Sequence, residues 1–377
     1  MKIIADENIP YVREAFSSLG DVVTRAGRAI TPEDVRDADM LLVRSITKVN
    51  QALLEGSSVR FVATATIGED HIDRVWLDSR GIGFSSAPGC NANSVGEYIV
   101  AALLHLAEKH NTPLAGRSIG VVGVGNVGSN VARKAEALGM RVVLNDPPLE
   151  EATGDPKYRP LDEILACDFI TTHVPLTKGG PHPTHHLVEA AFLARMKSGG
   201  FYLNTARGAV ADNSAVLDAL NSGQLRGAVL DVWEGEPLVR ADLLDRVDIA
   251  TPHIAGYSFD GKVNGTRQIY EAACRHLGVN AAWTPDTLLP APDYPVLALD
   301  GSDVDLKRAV DTAYPILEDD ARMRRVADEP EADRGAYFDM LRKTYPRRRE
   351  FQNTAITLAA PNPELAKSLR GIGFRVQ

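Results

Sequence analysis

The sequence predicts an α/β protein built on doubly wound parallel sheets. Three observations carry that expectation. Short β-branched, apolar runs alternate with stretches of helical periodicity along most of the 377 residues. One such run, Ser118-Ile119-Gly120-Val121-Val122, leads straight into a glycine turn, Gly123-Val124-Gly125-Asn126-Val127-Gly128, and then into a helical stretch. The later polar motifs all fall just beyond strand-like runs, at the edge where open parallel sheets bind ligands.

The glycine turn comes first because it defines the cofactor. Residues 118–122 read as a buried strand, and 129–138 as a helix with Val131, Ala132, Ala135 and Leu138 at helical spacing and Gly139 as its stop. Residues 141–144 form the next strand, with Asp146 just past its end. This is the strand–turn–helix–strand context of a Rossmann-type dinucleotide fingerprint. Gly123 permits the tight turn, Gly125 lets backbone approach a pyrophosphate, and Gly128 allows close helix–strand contact. Asn126 and Val127, within the turn, are further cofactor-side candidates, and the N-terminus of the helix that follows faces the phosphates with its unpaired N–H groups. Asp146 stands about 20 residues on, where a carboxylate accepts from ribose hydroxyls and repels a 2′-phosphate, so NAD is favoured over NADP. The plainer alternative is a glycine turn with no ligand.

Three polar residues follow three further strands. Residues 201–204 lead into Thr205-Ala206-Arg207-Gly208, 229–232 into Trp233-Glu234-Gly235-Glu236-Pro237, and 248–250 into Thr251-Pro252-His253-Ile254-Ala255-Gly256-Tyr257. Oxidising a 2-hydroxy acid removes a hydroxyl proton as hydride leaves carbon. An imidazole can take that proton, a carboxylate on its other nitrogen fixes the tautomer, and a guanidinium can hold the substrate carboxylate. His253 is the expected acid/base, Glu236 its orienting partner and Arg207 the substrate cation. Singly, each is better read as an ordinary loop residue, and it is the three together, after a dinucleotide fingerprint, that point to this chemistry.

The segments 123–128, 204–208, 231–237 and 252–256 resemble, in that order, those of the D-2-hydroxyacid dehydrogenase family. One branch is matched further through Met1-Lys2-Ile3, Asp6-Glu7-Asn8, Val43-Arg44-Ser45-Ile46-Thr47-Lys48-Val49-Asn50, Ala87-Pro88-Gly89-Cys90-Asn91-Ala92 and Asp286-Thr287-Leu288-Leu289-Pro290-Ala291-Pro292, thinning beyond Pro292. That resemblance implies NAD-dependent oxidation of a phosphorylated 2-hydroxy acid, 4-phospho-D-erythronate. It implies substrate contacts at Ser45, Thr66, Asn91 and Tyr257, and cofactor contacts at Val174, Thr205, Ala206, Arg207, Asp231 and Gly256. One departure is His173-Val174-Pro175-Leu176, where the family often has Thr before Pro-Leu; a side-chain bond to the cofactor is lost there and a backbone contact would survive. Two other functions stay open. One is the same chemistry on 3-phosphoglycerate. The other is an NAD-sensing scaffold like the transcriptional corepressors of this fold.

Arg44, Ser45 and Lys48 follow the strand-like 40–43, and two cations with a hydroxyl suit a phosphate; Arg44 and Ser45 are preferred. The Gly-containing turn around Thr66 can present N–H groups to a carboxylate. His182-Pro183-Thr184-His185-His186 reads as a loop and no metal site is expected, since Pro183 forbids a regular helical face. His71 is expected to serve loop structure and Cys90 to fill space.

The expected domains are 1–92 with 257–287, a flavodoxin-like α/β substrate domain; 93–256, the NAD-binding domain; and 288–377, a small C-terminal α/β domain. A helix from 93 to 109 joins the first two, marked by a Ser94/Glu97 capping box, and a helix over 257–278 returns to the first. The active site is expected in the cleft between them, closing to exclude water. In the C-terminal part, 295–299 and 354–358 are strand-like and 303–314, 336–341 and 364–369 helix-like. Its arginines, mixed with Asp and Glu, read as a solvated face. The resemblance implies a homodimer through this domain, although its composition would suit a regulatory domain equally.

A formal charge of −9 without a long basic stripe argues against general nucleic-acid binding. Three cysteines fit a reducing cytosol, and the chain opens directly on the strand Lys2-Ile3-Ile4-Ala5, so a cytoplasmic location without a signal peptide is expected. The apolar stretch 98–106 is too short to span a membrane.

Overall fold

The computed structural model describes residues 1–377. They form two compact units, Met1–Asn91 with Ser258–Ala291, and Ala92–Tyr257 with Pro292–Gln377.

The first unit holds a five-stranded parallel sheet of β1 (Lys2–Asp6), β2 (Asp21–Arg25), β3 (Met40–Val43), β4 (Phe61–Thr64) and β5 (Gly83–Ser85), in the flavodoxin-like order β2-β1-β3-β4-β5. Its central strand β3, Met40-Leu41-Leu42-Val43, is apolar and buried at every position because both faces are covered. Ile3, Ala5, Met40, Leu42, Phe61 and Ala63 meet Ile269, Tyr270, Ala273 and Cys274 of the helix Phe259–Leu277. The alternate residues Ile4, Leu41, Val43 and Val62 meet Val35, Val49 and Leu77 on the other face. The returning helix starts at Phe259 rather than 257, because Ser258 is its N-cap and its hydroxyl accepts from Gly261 N at 2.8 Å.

The second unit holds a six-stranded parallel sheet of β6 (Ser118–Val122), β7 (Arg141–Asn145), β8 (Phe169–Thr172), β9 (Gly200–Asn204), β10 (Leu225–Leu230) and β11 (Ile249–Ala250), ordered β11-β10-β9-β8-β6-β7. Because β6 lies between β7 and β8, successive crossovers run in opposite directions and leave a crevice at the carboxyl ends of β6 and β8. Ile119, Val121, Phe169, Phe201, Leu203 and Val229 face the helix Ala92–Lys109, while Val122, Ile170, Tyr202, Ala228 and Leu230 face the opposite layer. The helix after the glycine turn is Asn126–Ala137, three residues earlier than its apolar spacing predicts, because the turn itself supplies the first helical residues.

The C-terminal residues add a parallel three-stranded sheet, β12 (Val296–Leu299), β13 (Ala355–Leu358) and β14 (Arg375–Val376), in that order, with helices Asp305–Ala313, Ile316–Arg324, Arg334–Lys343 and Pro363–Ile372. Helix Ile316–Arg324 has no clear sequence signal, since two of its four buried residues are Asp319 and Asp320. Leu299, Val310, Phe351, Ile356, Leu369 and Phe374 share one core with Ile99, Val131 and Ala135.

That shared core corrects two expectations. Ser94 and Glu97 form no capping box: both are buried inside the helix Ala92–Lys109 and turned to tertiary partners. Ser94 Oγ donates to Glu350 Oε1 at 2.7 Å, and Glu97 accepts from Arg348 Nη1 at 2.6 Å and Phe351 N at 2.7 Å. Nor is the C-terminal arginine set simply a solvated face. Arg348 is only 8% exposed, lies over the Tyr314 ring, and is paired with a carboxylate that has no exposure at all. Burial pushes the Glu97 carboxyl up to about 7 against the opposing pull of Arg348. No helix is long and apolar enough to cross a membrane.

Candidate functional site

In an all-parallel sheet every strand ends at the same edge, so each motif that follows a strand of the second unit arrives there. The glycine turn follows β6, Asp146 β7, Val174 β8, Arg207 β9, Asp231 and Glu236 β10, and His253 β11.

At the glycine turn, Gly123 has φ +86°, and a Cβ on Gly128 would stand 1.9 Å from Gly123 O, so neither position accepts a side chain without moving the turn. A Cβ on Gly125 would meet no atom within 4 Å, which leaves the backbone open to approach at the start of helix Asn126–Ala137. This shape suits a dinucleotide pyrophosphate. Asp146 Oδ2 accepts from Val124 N at 2.7 Å and Oδ1 from Leu149 N at 3.1 Å, which fixes its carboxylate beside the turn. Val174 is half-buried and abuts Gly123. The preceding His173 is lowered to about 3 by burial and is neutral; its Nδ1 lies 3.2 Å from Thr205 Oγ1 and its Nε2 3.0 Å from Thr171 Oγ1. The histidine thus engages the hydroxyl of a residue expected at the cofactor, a link that sequence spacing does not reveal.

The turn carrying Arg207 is built by Asn204. Its Oδ1 accepts from Ala206 N at 3.0 Å and from Thr172 Oγ1 at 3.2 Å, and its Nδ2 donates to Arg207 O at 3.1 Å. Gly208 is required because a Cβ there would lie 1.9 Å from Trp233 O. This close approach seats the Arg207 turn against the segment leading to Glu236.

His253 and Glu236 are brought together: Nδ1 and Oε2 are 2.9 Å apart, and Glu236 Oε1 accepts from Trp233 N at 2.8 Å. Burial raises the Glu236 pKa, but His253 and the Trp233 N–H outweigh it, so the pKa is lowered and the group is a carboxylate. Nδ1 is thus the ring nitrogen committed to Glu236. His253 has φ +57°, an uncommon value for a residue with a side chain. The fully buried Asp231 holds it there by accepting from Ile254 N at 2.7 Å, Ala255 N at 3.0 Å and Thr251 Oγ1 at 2.6 Å, while its own carbonyl accepts from His253 N at 2.7 Å. Gly256 and Tyr257 close the same loop, Tyr257 N donating to Ile254 O at 2.7 Å.

The first unit gathers its own residues at the carboxyl edge of its sheet: Arg44 and Ser45 after β3, Thr66 after β4 and Asn91 after β5. Ser45 is exposed and Arg44 Nη1 donates to Asn8 O at 3.4 Å. Thr66 Oγ1 is 2.7 Å from Thr64 Oγ1, which is 3.1 Å from His71 Nε2, so His71 braces the loop that carries Thr66. Asn91 Oδ1 is buried without a hydrogen-bond partner.

Residues 103–255 match the family model described as D-isomer specific 2-hydroxyacid dehydrogenase, NAD binding domain. Residues 288–373 match a second, described as a domain of unknown function. The chain is 46% identical to the erythronate-4-phosphate dehydrogenases of Citrobacter koseri and Klebsiella pneumoniae, across 99% of this chain and 98% of each of theirs. Among solved structures, D-lactate dehydrogenase from Aquifex aeolicus, in complex with NAD and lactic acid, is similar with a TM-score of 0.60 and 26% identity over 74% of this chain and 96% of its own. A chain this similar to these dehydrogenases along its whole length, with its glycine turn and its Glu236–His253 pair at one sheet edge, belongs to the erythronate-4-phosphate dehydrogenase family, a branch of the D-isomer specific 2-hydroxyacid dehydrogenases.

Proposed function

We propose that the protein oxidises 4-phospho-D-erythronate to 2-oxo-3-hydroxy-4-phosphobutanoate with NAD, in the synthesis of pyridoxal 5′-phosphate. The observation that carries this is the ionised Glu236 held 2.9 Å from His253 Nδ1, at the same sheet edge as a glycine turn shaped for a dinucleotide. NAD, which the glycine turn and Asp146 would hold, would supply the acceptor for the hydride that leaves the substrate C2. His253 Nε2 takes the C2 hydroxyl proton, and Glu236 favours the imidazolium that results. Arg207 holds the substrate carboxylate and polarises the forming carbonyl. Thr66, Asn91 and Tyr257 are assigned to the substrate, and Arg44 with Ser45 to its phosphate. Asn126, Val127, Val174, Thr205, Ala206, Asp231 and Gly256 are assigned with the glycines and Asp146 to the cofactor. Cytoplasmic residence and a homodimer through the C-terminal domain belong to the same proposal. In support of the dimer, β12 is an outer strand with Val296 57% exposed, and Tyr294 just before it is 47% exposed.

The test is NADH formation, followed by absorbance, from purified protein with NAD and either 4-phospho-D-erythronate or 3-phosphoglycerate, each with and without a 2-oxo acid to reoxidise tightly held cofactor. The four-carbon acid is expected to be preferred. Preference for 3-phosphoglycerate would reassign the substrate. No turnover of either by folded, NAD-binding protein would overturn the proposal and leave another hydroxy acid or an NAD-sensing scaffold as the next reading to test.

A further inference from the structure

We propose that Arg342, carried by the C-terminal residues, is a positioning residue that holds Tyr257 and the Glu236–His253 pair in their working arrangement; this rests on the dehydrogenase chemistry proposed above. Helix Arg334–Lys343 buries Phe338 and Leu341 in the same core as Trp233 and Val239, which bracket Glu236 in the chain. A Cβ on Gly335 would lie 3.2 Å from Pro237 Cγ and 3.5 Å from Leu238 Cδ2, so the helix rests directly on the segment that carries Glu236. Arg342 follows Leu341, and its guanidinium carbon lies 5.7 Å from the centre of the Tyr257 ring. Tyr345 meets that same ring edge-on at 5.8 Å.

A charge placed in this way needs compensation. Arg342 Nε is buried with no hydrogen-bond partner, and the groups that offset the burial of the cation are Tyr257, Glu236 and Asp339. The influence is mutual, since the Arg342 charge is among those that keep Glu236 ionised. The cation therefore restrains a ring at the substrate-side position and supports the carboxylate that orients His253, without belonging to any motif of the catalytic series.

The Aquifex aeolicus D-lactate dehydrogenase, which acts with the same cofactor on an unphosphorylated acid, aligns over 96% of its own length but only 74% of this chain. About a quarter of this chain therefore has no counterpart there, and the C-terminal match at 288–373 is of that size. Within that matched stretch, helix Arg334–Lys343 packs on the segment that carries Glu236 and places Arg342 beside the Tyr257 ring.

A double-mutant cycle tests this, with Arg342→Gln, Tyr257→Phe and both together, plus Arg342→Lys, assayed on whichever of the two phosphorylated acids the wild type oxidises. That choice separates failure of this inference from failure of the substrate assignment. Expected are a kcat lower by about 10–100-fold in R342Q with NAD affinity and melting temperature near wild type, and partial recovery in R342K, which keeps the charge but not the planar contact. The double variant should lose less than the product of the two single losses. Wild-type kcat in R342Q, or losses that multiply, overturns the inference. Should R342Q fail to fold, R342K paired with Y257F runs the same cycle, and multiplying losses there overturn it equally.

Discussion

Two carboxylates with different surroundings make His253 usable. Asp231 is fully buried, and its hydrogen bonds are spent on the backbone that gives His253 its left-handed conformation. Glu236 meets the ring itself and is kept ionised by it. Replacing His253 or Arg207 with Ala is expected to lower turnover by about 10²–10⁴-fold. The NAD dissociation constant, measured by fluorescence titration, should change little; near-normal turnover in either variant would remove that residue from the mechanism. Asp146 is tied to the glycine turn through Val124 N. Asp146→Ala should therefore erode the preference for NAD over NADP, by about tenfold or more in the ratio of kcat/KM values. An unchanged ratio would mean that discrimination lies elsewhere. At this scale the motif residues were legible because each is a chemical type at a strand end. His173 and Arg342 were not, because their partners, Thr205, Tyr257 and Glu236, lie far away in sequence.

Among the elements, helix Ala92–Lys109 shows how the same residues can be read two ways. Ser94 and Glu97 have capping-box spacing, yet the C-terminal residues cover that face and take both side chains. A buried ion pair costs desolvation, and the Glu97 carboxyl rises from an ordinary 4.5 to about 7. The folded protein thus binds this proton more tightly than the unfolded chain, and the site's contribution to stability is greatest below about 4.5 and falls as pH rises through about 7. Glu97→Gln cannot titrate. The melting temperature of wild type minus that of E97Q should therefore be larger at pH 5 than at pH 8. A difference that is flat or grows with pH would show that Arg348 keeps Glu97 ionised throughout. Helix ends shifted by a few residues for local reasons, such as the Ser258 cap and the glycine turn acting as the first helical residues.

For the whole molecule, the C-terminal residues are structural partners of the cofactor-binding sheet rather than an appendage. Leu299, Val310, Phe351, Ile356 and Phe374 lie in one core with Ile99, Val131 and Phe169. A chain ending at residue 291 would expose that face and leave Glu97 and Lys134 without Arg348 and the Ile372 carbonyl. Such a truncation is expected to aggregate, or to melt at least about 10 °C below the full chain by differential scanning calorimetry. A truncated protein melting at the full-length temperature would show that the core is closed without these residues.

The sequence by itself determined the fold class, the order of the strands' functional loops and NAD as the cofactor, and it singled out Glu236 and His253, which the structure brings within 2.9 Å of each other. These follow from short-range patterns: continuous apolar runs, turn glycines, and chemistry placed at strand ends. Only the tertiary structure decided that Glu97 faces an arginine more than 200 residues away, that His173 is neutral, and that a C-terminal helix lays Arg342 beside Tyr257. Those outcomes depend on which distant surfaces exclude water from a polar group. Local periodicity does not encode that, and a burial cost of a few kcal/mol is enough to decide it.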